Sequence, residues 1–452
     1  MEDRLFFGFL SPFLKDLRVS GGFVRSAFVL MSGSTIAMVV PVVAAPLLTR
    51  LYTPHDYGVF ALFVSIVTVF SVPIGGNYDS AAMLPAEDED ALNLVSVCLA
   101  ASFLAGIVCL FVPVFFARSI GRFLGSDGIV LWLWLAPLAG FLTSAQLAFS
   151  SWVNRKRQFK RLAASKVVEA VVTPAMSLGF GVRAWGVGGL VAGLLGGKLA
   201  SAWMLERSTG RAKAAAQLQV KFKTMREQAR KYRDFPLYSA PTSFLDVLAL
   251  QVPILLLTRF FDPSTVGWFS LTSRVVGGPL AIVGSCVAQV YYQWFAEAGR
   301  DHDDLSSYPM KVAGYLGLIA AGPLLIAIVF SPVLFSLVFG SEWRMAGEYA
   351  RVLVIPIAVR FVVSPLSVTM PASGNIKLGS IWKILYFSST AVVLFVAAHF
   401  SVWTFILVYS AHEVVFYFLY FLLILKASAG RERRLSSGRG TRGEAKYPGG
   451  EQ

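Results

Sequence analysis

A small set of ionisable side chains stands inside long apolar stretches of this sequence: Arg25, Lys166, Lys198, Arg274, Arg351, Arg360 and Lys383, with Asp79, Glu169, Asp246 and Glu413. A cation at the centre of an apolar helix costs about 2.5–3.5 kcal/mol on insertion scales, so these groups must face protein or water rather than lipid. Arg25, Lys166, Arg351 and Lys383 lie near helix ends and can snorkel, and Lys166 is spaced to pair with Glu169 at i, i+3. Arg274, Arg360 and Asp246 lie deeper. Arginine suits phosphate because its planar fork donates two parallel hydrogen bonds and keeps its charge as the dielectric changes. Arg274 and Arg360, with Arg25, are therefore candidates to line a cationic, water-filled cavity for an anionic guest such as a phosphate or an acidic sugar. Asp79, Asp246 and Glu413 are either proton or sodium sites or counter-ions that hold the arginines in place. Cys98, Cys109 and Cys286 lie singly in apolar runs, and His55, His302, His399 and His412 form no cluster, so neither a metal site nor a redox cofactor is expected.

The elements that must position these groups are bilayer-spanning helices. The chain has 452 residues, of which 56% are hydrophobic and 15% charged, against roughly 25% charged in a soluble protein. Mean hydropathy is +0.65. About twelve stretches reach the roughly 20 apolar residues a span requires. They run 23–49, 58–84, 91–117, 128–153, 162–182, 186–205, 237–258, 265–293, 310–338, 345–370, 379–399 and 402–425. The fold class is an all-α polytopic membrane protein: an amino-terminal segment 1–22, a first six-helix lobe 23–205, a basic linker 206–236, a second lobe 237–425 and a basic tail 426–452. From Ser428 the tail is rich in Gly, Ser, Arg and Glu and is expected to be disordered.

The formal charge of +14 would suggest nucleic acid in a soluble protein. Here it is an orientation signal. With the amino terminus in the cytoplasm, about 27 of the 40 Lys and Arg fall on that side, including Arg155, Lys156, Arg157, Lys160 and Arg161, the linker, and the tail. Both termini are then cytoplasmic, and no nucleic-acid partner is needed. The one acidic loop, Glu87 to Asp90, carries little weight in this rule.

A repeat relates the two halves. Leu47-Leu48-Thr49-Arg50-Leu51-Tyr52-Thr53-Pro54-His55-Asp56-Tyr57-Gly58-Val59-Phe60-Ala61-Leu62 aligns with Leu256-Leu257-Thr258-Arg259-Phe260-Phe261-Asp262-Pro263-Ser264-Thr265-Val266-Gly267-Trp268-Phe269-Ser270-Leu271, with identity at Leu, Leu, Thr, Arg, Pro, Gly, Phe and Leu. Arg50 and Arg259 end the first helix of each copy, and the prolines open the second, where a missing N–H costs nothing. The repeat is either a hairpin of fixed geometry or part of a substrate path. Six spans per copy make the halves parallel, and the seam between two such bundles is where transporters bind near the midplane.

Several of these segments together resemble the bacterial Wzx-type oligosaccharide flippases. They are Leu47 to Leu84, with Leu-Thr-Arg-Leu-Tyr-Thr-Pro-His-Asp-Tyr-Gly and later Asn77-Tyr78-Asp79-Ser80-Ala81 and Leu84-Pro85; Phe235 to Pro241; Arg274 to Glu297 with Gln289-Val290-Tyr291-Tyr292-Gln293; and Phe339-Gly340-Ser341-Glu342-Trp343. The resemblance implies the polysaccharide branch of the multidrug, oligosaccharidyl-lipid and polysaccharide (MOP) exporter superfamily, in a MATE-like fold. It implies translocation of undecaprenyl-diphosphate-linked oligosaccharide from the cytoplasmic to the periplasmic leaflet by alternating access, coupled to an H+ or Na+ gradient. It also implies cavity-lining arginines on the first and eighth helices, here Arg25 and Arg274. Membrane lipids, and a polysaccharide polymerase with other assembly proteins, are the implied partners. One departure is Asn77-Tyr78-Asp79, where the family commonly has an Arg-Tyr-Glu type sequence.

The alternatives are a drug exporter of the same superfamily, a facilitator-type sugar transporter, and a membrane-bound polymerase, ligase or glycosyltransferase. Cationic drugs call for acids rather than arginines in the cavity. The facilitator's basic loop after its second helix is replaced here by Ala86-Glu87-Asp88-Glu89-Asp90. Outer loops of about a dozen residues or fewer leave little room for catalytic machinery, so an enzyme is not expected.

Overall fold

The computed structural model describes residues 36–209, 222–297, 307–373 and 375–443. Among them, eleven helices are long and apolar enough to cross a membrane, and a shorter apolar helix precedes them. In chain order these are α1 (Ile36–Leu48), α2 (Pro54–Ile74), α3 (Asp88–Leu124), α4 (Ala136–Arg155), α5 (Phe159–Gly181) and α6 (Val187–Thr209). The second set is α7 (Ala240–Phe260), α8 (Pro263–Glu297), α9 (Tyr308–Phe339), α10 (Arg344–Val363), α11 (Ile376–Ala397) and α12 (Val402–Gly443). A linker helix, Phe222–Lys231, lies between the sets. The protein is thus a multi-pass, all-helical membrane protein, as its composition requires.

Packing follows the duplication. In the first set α3 and α6 lie on α4, and α5 lies on α6. In the second, α9 and α12 lie on α10, and α7 lies on α11. Between the sets, α2 packs against α7 and α8. Lipid replaces water as the outer solvent: Phe111, Phe115 and Phe116 on α3 and Leu325, Val333 and Leu337 on α9 are exposed, which a soluble surface avoids in such density. Lipid tails are as apolar as leucine, so helices must gain from close contact instead. α5 and α6 do so through small residues, since a Cβ on Gly193 would overlap the Ser177 hydroxyl and lie 2.7 Å from the Thr173 carbonyl oxygen.

Helix starts obey local chemistry. Thr53 and Asp56 form a capping box on α2, with Asp56 N–H donating to Thr53 Oγ1 at 3.2 Å and Thr53 N–H to Asp56 Oδ2 at 3.0 Å. In the second copy Asp262 Oδ1 accepts from Ser264 N–H at 2.7 Å. The acidic loop begins α3, where Asp88, Glu89 and Asp90 suit the positive end of the helix dipole. Asp88 also pairs with Arg155 at 3.0 Å and with Lys156, tying α3 to the basic end of α4.

Two expectations are corrected. The second span was expected to continue to Leu84, but α2 stops at Ile74 because Gly76 (φ +58°) and Asn77 (φ 53°) take left-handed backbone. The chain turns there and resumes as a single helical turn, Tyr78–Ala81. The tail expected to be disordered from Ser428 is helical to Gly443, as the end of α12. Extending an existing helix avoids the nucleation cost, and side-chain contacts hold its first part: Ala427 and Ser428 are buried, and Arg431 donates to the Phe295 carbonyl at 2.8 Å. Residues 444–452 lie outside the described residues, as do the amino-terminal segment and residues 210–221 of the linker.

Candidate functional site

The repeated segments meet each other. Gly58 on α2 and Gly267 on α8 face across the seam: a Cβ on Gly58 would overlap the Pro263 carbonyl and lie 3.2 Å from the Gly267 amide nitrogen. The reciprocal holds, because a Cβ on Gly267 would overlap the Pro54 carbonyl and lie 3.2 Å from the Gly58 amide nitrogen. The matched Pro and Gly of the duplication therefore build a two-fold contact of backbone on backbone. Only glycine permits such an approach.

Side chains complete the seal at this repeat end. Trp343, 1% exposed, donates from Nε1 to the Thr49 carbonyl at 3.1 Å and meets the Tyr57 ring edge-on at 5.0 Å. Trp268 Nε1 donates to the Glu342 carbonyl at 2.9 Å. One apolar core runs across both halves here, taking Tyr52, Phe60, Leu62 and Phe63 from the first and Leu271, Phe335 and Phe339 from the second. The Phe339-to-Trp343 segment that resembled a flippase motif is thus a clasp between the lobes.

Farther from this end, polar side chains tie α2 to α7. Ser65 Oγ donates to Gln251 Oε1 at 2.7 Å, and Asn77 Nδ2 donates to Ser243 Oγ at 2.9 Å and Ser239 Oγ at 3.1 Å. Asn77 makes a neutral bridge to α7 where the family pattern has a cation. On α8 one face beyond Leu271 is open, since a Cβ on Gly277 would meet nothing within 4 Å, while Val275 and Val276 still pack on the shared core and a Cβ on Gly278 would lie 3.8 Å from Val42 on α1. Phe70 on α2 is exposed. The lobes are sealed at the repeat end.

Arg274 stands on α8 beyond the seal. It is exposed, and its charge lies within electrostatic reach of the Tyr57 hydroxyl. Eleven residues of helix separate it from Pro263, about 16 Å of rise, which is the half-thickness of a bilayer core.

The other candidate residues are set apart from it. Arg50 is exposed at the repeat end. Arg259 is also exposed there, with its guanidinium over the rings of Phe260 (5.4 Å) and Phe123 (5.9 Å). Arg360 lies within the second lobe, 5.9 Å from the Tyr417 ring, with Tyr409, Tyr386 and Glu413 around it. Asp246 on α7 pairs with Lys383 on α11 at 2.6 Å. Asp79 sits on the turn after α2, near Cys98. Glu169, spaced for Lys166, pairs with Lys198 on α6 at 3.5 Å and accepts from Gln146 on α4. Arg25 lies outside the described residues.

The Asp246–Lys383 pair gives a direct prediction. Lys383→Met leaves a carboxylate without its cation among apolar helices, at a cost on the order of 2–3 kcal/mol. The yield of monodisperse, detergent-extracted protein should fall, and Asp246→Asn in the same chain should restore it. A double variant no better than the single one would mean that Asp246 has work other than answering Lys383.

A sequence model described as polysaccharide biosynthesis protein matches residues 47–348. The chain belongs to this family. The succinoglycan biosynthesis transport protein ExoT of Rhizobium meliloti (strain 1021) is 22% identical over 353 residues, which cover 76% of this chain and 68% of that protein. Two solved structures share the fold. The first is the inward-facing conformation of a multidrug resistance MATE family transporter of the MOP superfamily, at 13% identity and TM-score 0.70, covering 91% of this chain and 99% of that one. The second is the inward closed conformation of the lipid II flippase MurJ, at 11% identity and TM-score 0.69, covering 94% of each chain. This member of the family therefore shares the helical fold of these two structures, with eleven long apolar helices and a shorter one among the described residues. Its seal at the repeat end is built from the family segment itself, since Pro54, Gly58, Pro263, Gly267 and Trp343 all fall within 47–348.

Proposed function

We propose that this protein is a flippase of the bacterial inner membrane. It moves an undecaprenyl-diphosphate-linked oligosaccharide, the repeat unit of an O-antigen, capsule or exopolysaccharide, from the cytoplasmic to the periplasmic leaflet by alternating access. The observation that carries this reading is Arg274, an exposed cation about 16 Å along α8 from the sealed contact between the lobes. A diphosphate is a dense anion that a guanidinium fork matches, and the glycan needs the width of a seam rather than a closed pocket. The prenyl tail stays in lipid through the lateral gap between lobes.

The basic linker and the basic end of α4 support placing both termini in the cytoplasm. The repeat end is then periplasmic, and the structure corresponds to the state loaded from inside. Transport needs a conformational change and an ion gradient, with no covalent chemistry and no bound cofactor, so the protein is not an enzyme. A polymerase that consumes the flipped unit is the expected partner on the periplasmic side.

Reconstitution tests the reading. Purified protein in proteoliposomes should move a fluorescent lipid-linked oligosaccharide between leaflets, measured by loss of access to an impermeant quencher. A cationic drug driven across the same membranes while the glycolipid stays in place would transfer the assignment to the multidrug branch.

A further inference from the structure

Away from the seam, α10, α11 and α12 enclose a polar cluster that the transport path does not use. Glu413 is 2% exposed and accepts the Tyr386 hydroxyl at 2.5 Å. Its neighbour His412 is also buried and stacks on Phe416 at 4.4 Å. His412 Nε2 lies 3.0 Å from Ser389 Oγ. With that hydroxyl donating to the Tyr386 carbonyl at 3.0 Å, it accepts from the ring, and we assign the imidazole hydrogen to Nε2.

The other ring nitrogen is thereby a bare lone pair. Nδ1 is buried without a hydrogen-bond partner and stands 3.9 Å from Glu413 Oε1. Two acceptors face each other across a gap slightly too long for a hydrogen bond. Leaving a buried polar atom unmet is costly, which a purely structural pair would avoid.

We infer that His412 and Glu413 form a proton-binding site and that H+ is the ion that drives transport; this rests on the transport reading above. The entering proton forms one N–H bond at Nδ1, which then donates to Glu413 Oε1 once the gap closes by about 1 Å. Nε2 keeps its bond to Ser389, and release is the reverse step. Sodium does not suit the site. It would need several free oxygen ligands converging on one point, whereas the Tyr386 hydroxyl is bonded to Glu413, the Ser389 hydroxyl to the Tyr386 carbonyl, and the ring offers one nitrogen beside the Phe416 face. The other titratable groups facing Glu413 are Tyr386 from α11 and Tyr409 and Tyr417 from α12. Asp246 and Lys383 answer each other farther out.

A route to the seam is present. Arg360 on α10 lies within electrostatic reach of Glu413, Tyr409 and Tyr417 on α12, so a proton that draws the Glu413 carboxylate toward His412 alters the packing of α12 on α10. Trp343, the clasp at the repeat end, immediately precedes α10, and Thr272 on α8 donates to the Ala346 carbonyl of that helix at 2.7 Å. A shift of α10 on α12 therefore reaches the seal.

Two measurements on the full chain test this. In nanodiscs, 15N spectra of labelled histidine, assigned through His412→Gln, should show His412 with Nδ1 bare at high pH and protonated after acidification between about pH 9 and 5. A hydrogen on Nδ1 at high pH, or a ring that never takes up a proton, overturns the site. In proteoliposomes, an imposed pH gradient should accelerate glycolipid movement by the wild type, and both His412→Gln and Glu413→Gln should abolish that acceleration. Acceleration by a sodium gradient and not by a pH gradient overturns the inference while leaving the flippase standing. If no glycolipid moves in any preparation, the flippase reading fails and the His412 spectrum still decides the proton site.

Discussion

Gly58→Val is expected to abolish export while the protein still reaches the membrane in parental amount. The added Cβ would overlap the Pro263 carbonyl, and the atom in the way is backbone at the start of a capped helix, so no rotamer change relieves it. The lobes must part at the repeat end instead. A strain of about 3 kcal/mol at this contact moves a two-state equilibrium by more than a hundredfold. A carrier that cannot close one gate is held in a single state and cannot cycle. Spin labels at His55→Cys and Asp262→Cys, in a chain freed of its own cysteines, should report a longer distance in the variant. Gly267→Val should behave the same way, because the contact is reciprocal. Gly277→Val, one helix face away with open space around it, should change neither distance nor export. If Gly58→Val exports normally, the repeat-end contact is not a gate.

Arg274→Ala carries the second large effect. A charge-assisted hydrogen bond is worth about 1.5–3 kcal/mol, so losing the guanidinium should reduce transport by roughly ten- to a hundredfold, enough to remove surface polysaccharide in a complementation test. Membrane levels should stay normal, since the side chain is exposed rather than packed. Arg274→Lys should recover part of the activity, because it restores the charge without the planar fork. Arg50→Ala and Arg259→Ala, at the repeat end, should cost much less. Full export by Arg274→Ala would remove the seam from the substrate path.

The architecture was legible in the sequence because a bilayer imposes a length and polarity code on each helix separately. Span count, the parallel relation of the halves and the matched Pro and Gly positions can all be read from residue types and spacing. Local rules reached some boundaries too, such as Pro54 and Pro263, which open α2 and α8. They missed the break after Ile74, where an apolar run continues but two left-handed residues turn the chain. They also missed the helical tail, because its stability comes from Arg431 meeting a distant carbonyl.

Side-chain partnership was the illegible part. Spacing offered Lys166 to Glu169, and the fold also brings Lys198 to it from the next helix. His412 looked solitary in the chain, yet its Nε2 meets Ser389 because α11 packs on α12. Arg274 and Arg360 looked alike as deep arginines. Rotation of α8 and α10 about their axes leaves one exposed and sets the other among tyrosines.

By itself, then, the sequence determined a duplicated bundle of about twelve membrane helices with a few costly charges, since hydrocarbon tests every residue for polarity whatever its neighbours. Only the tertiary structure decided which charge faces open space, which are answered, and where the repeats touch. Those outcomes depend on how helices are turned against one another, and a helix of nearly uniform apolarity carries little record of its own rotation.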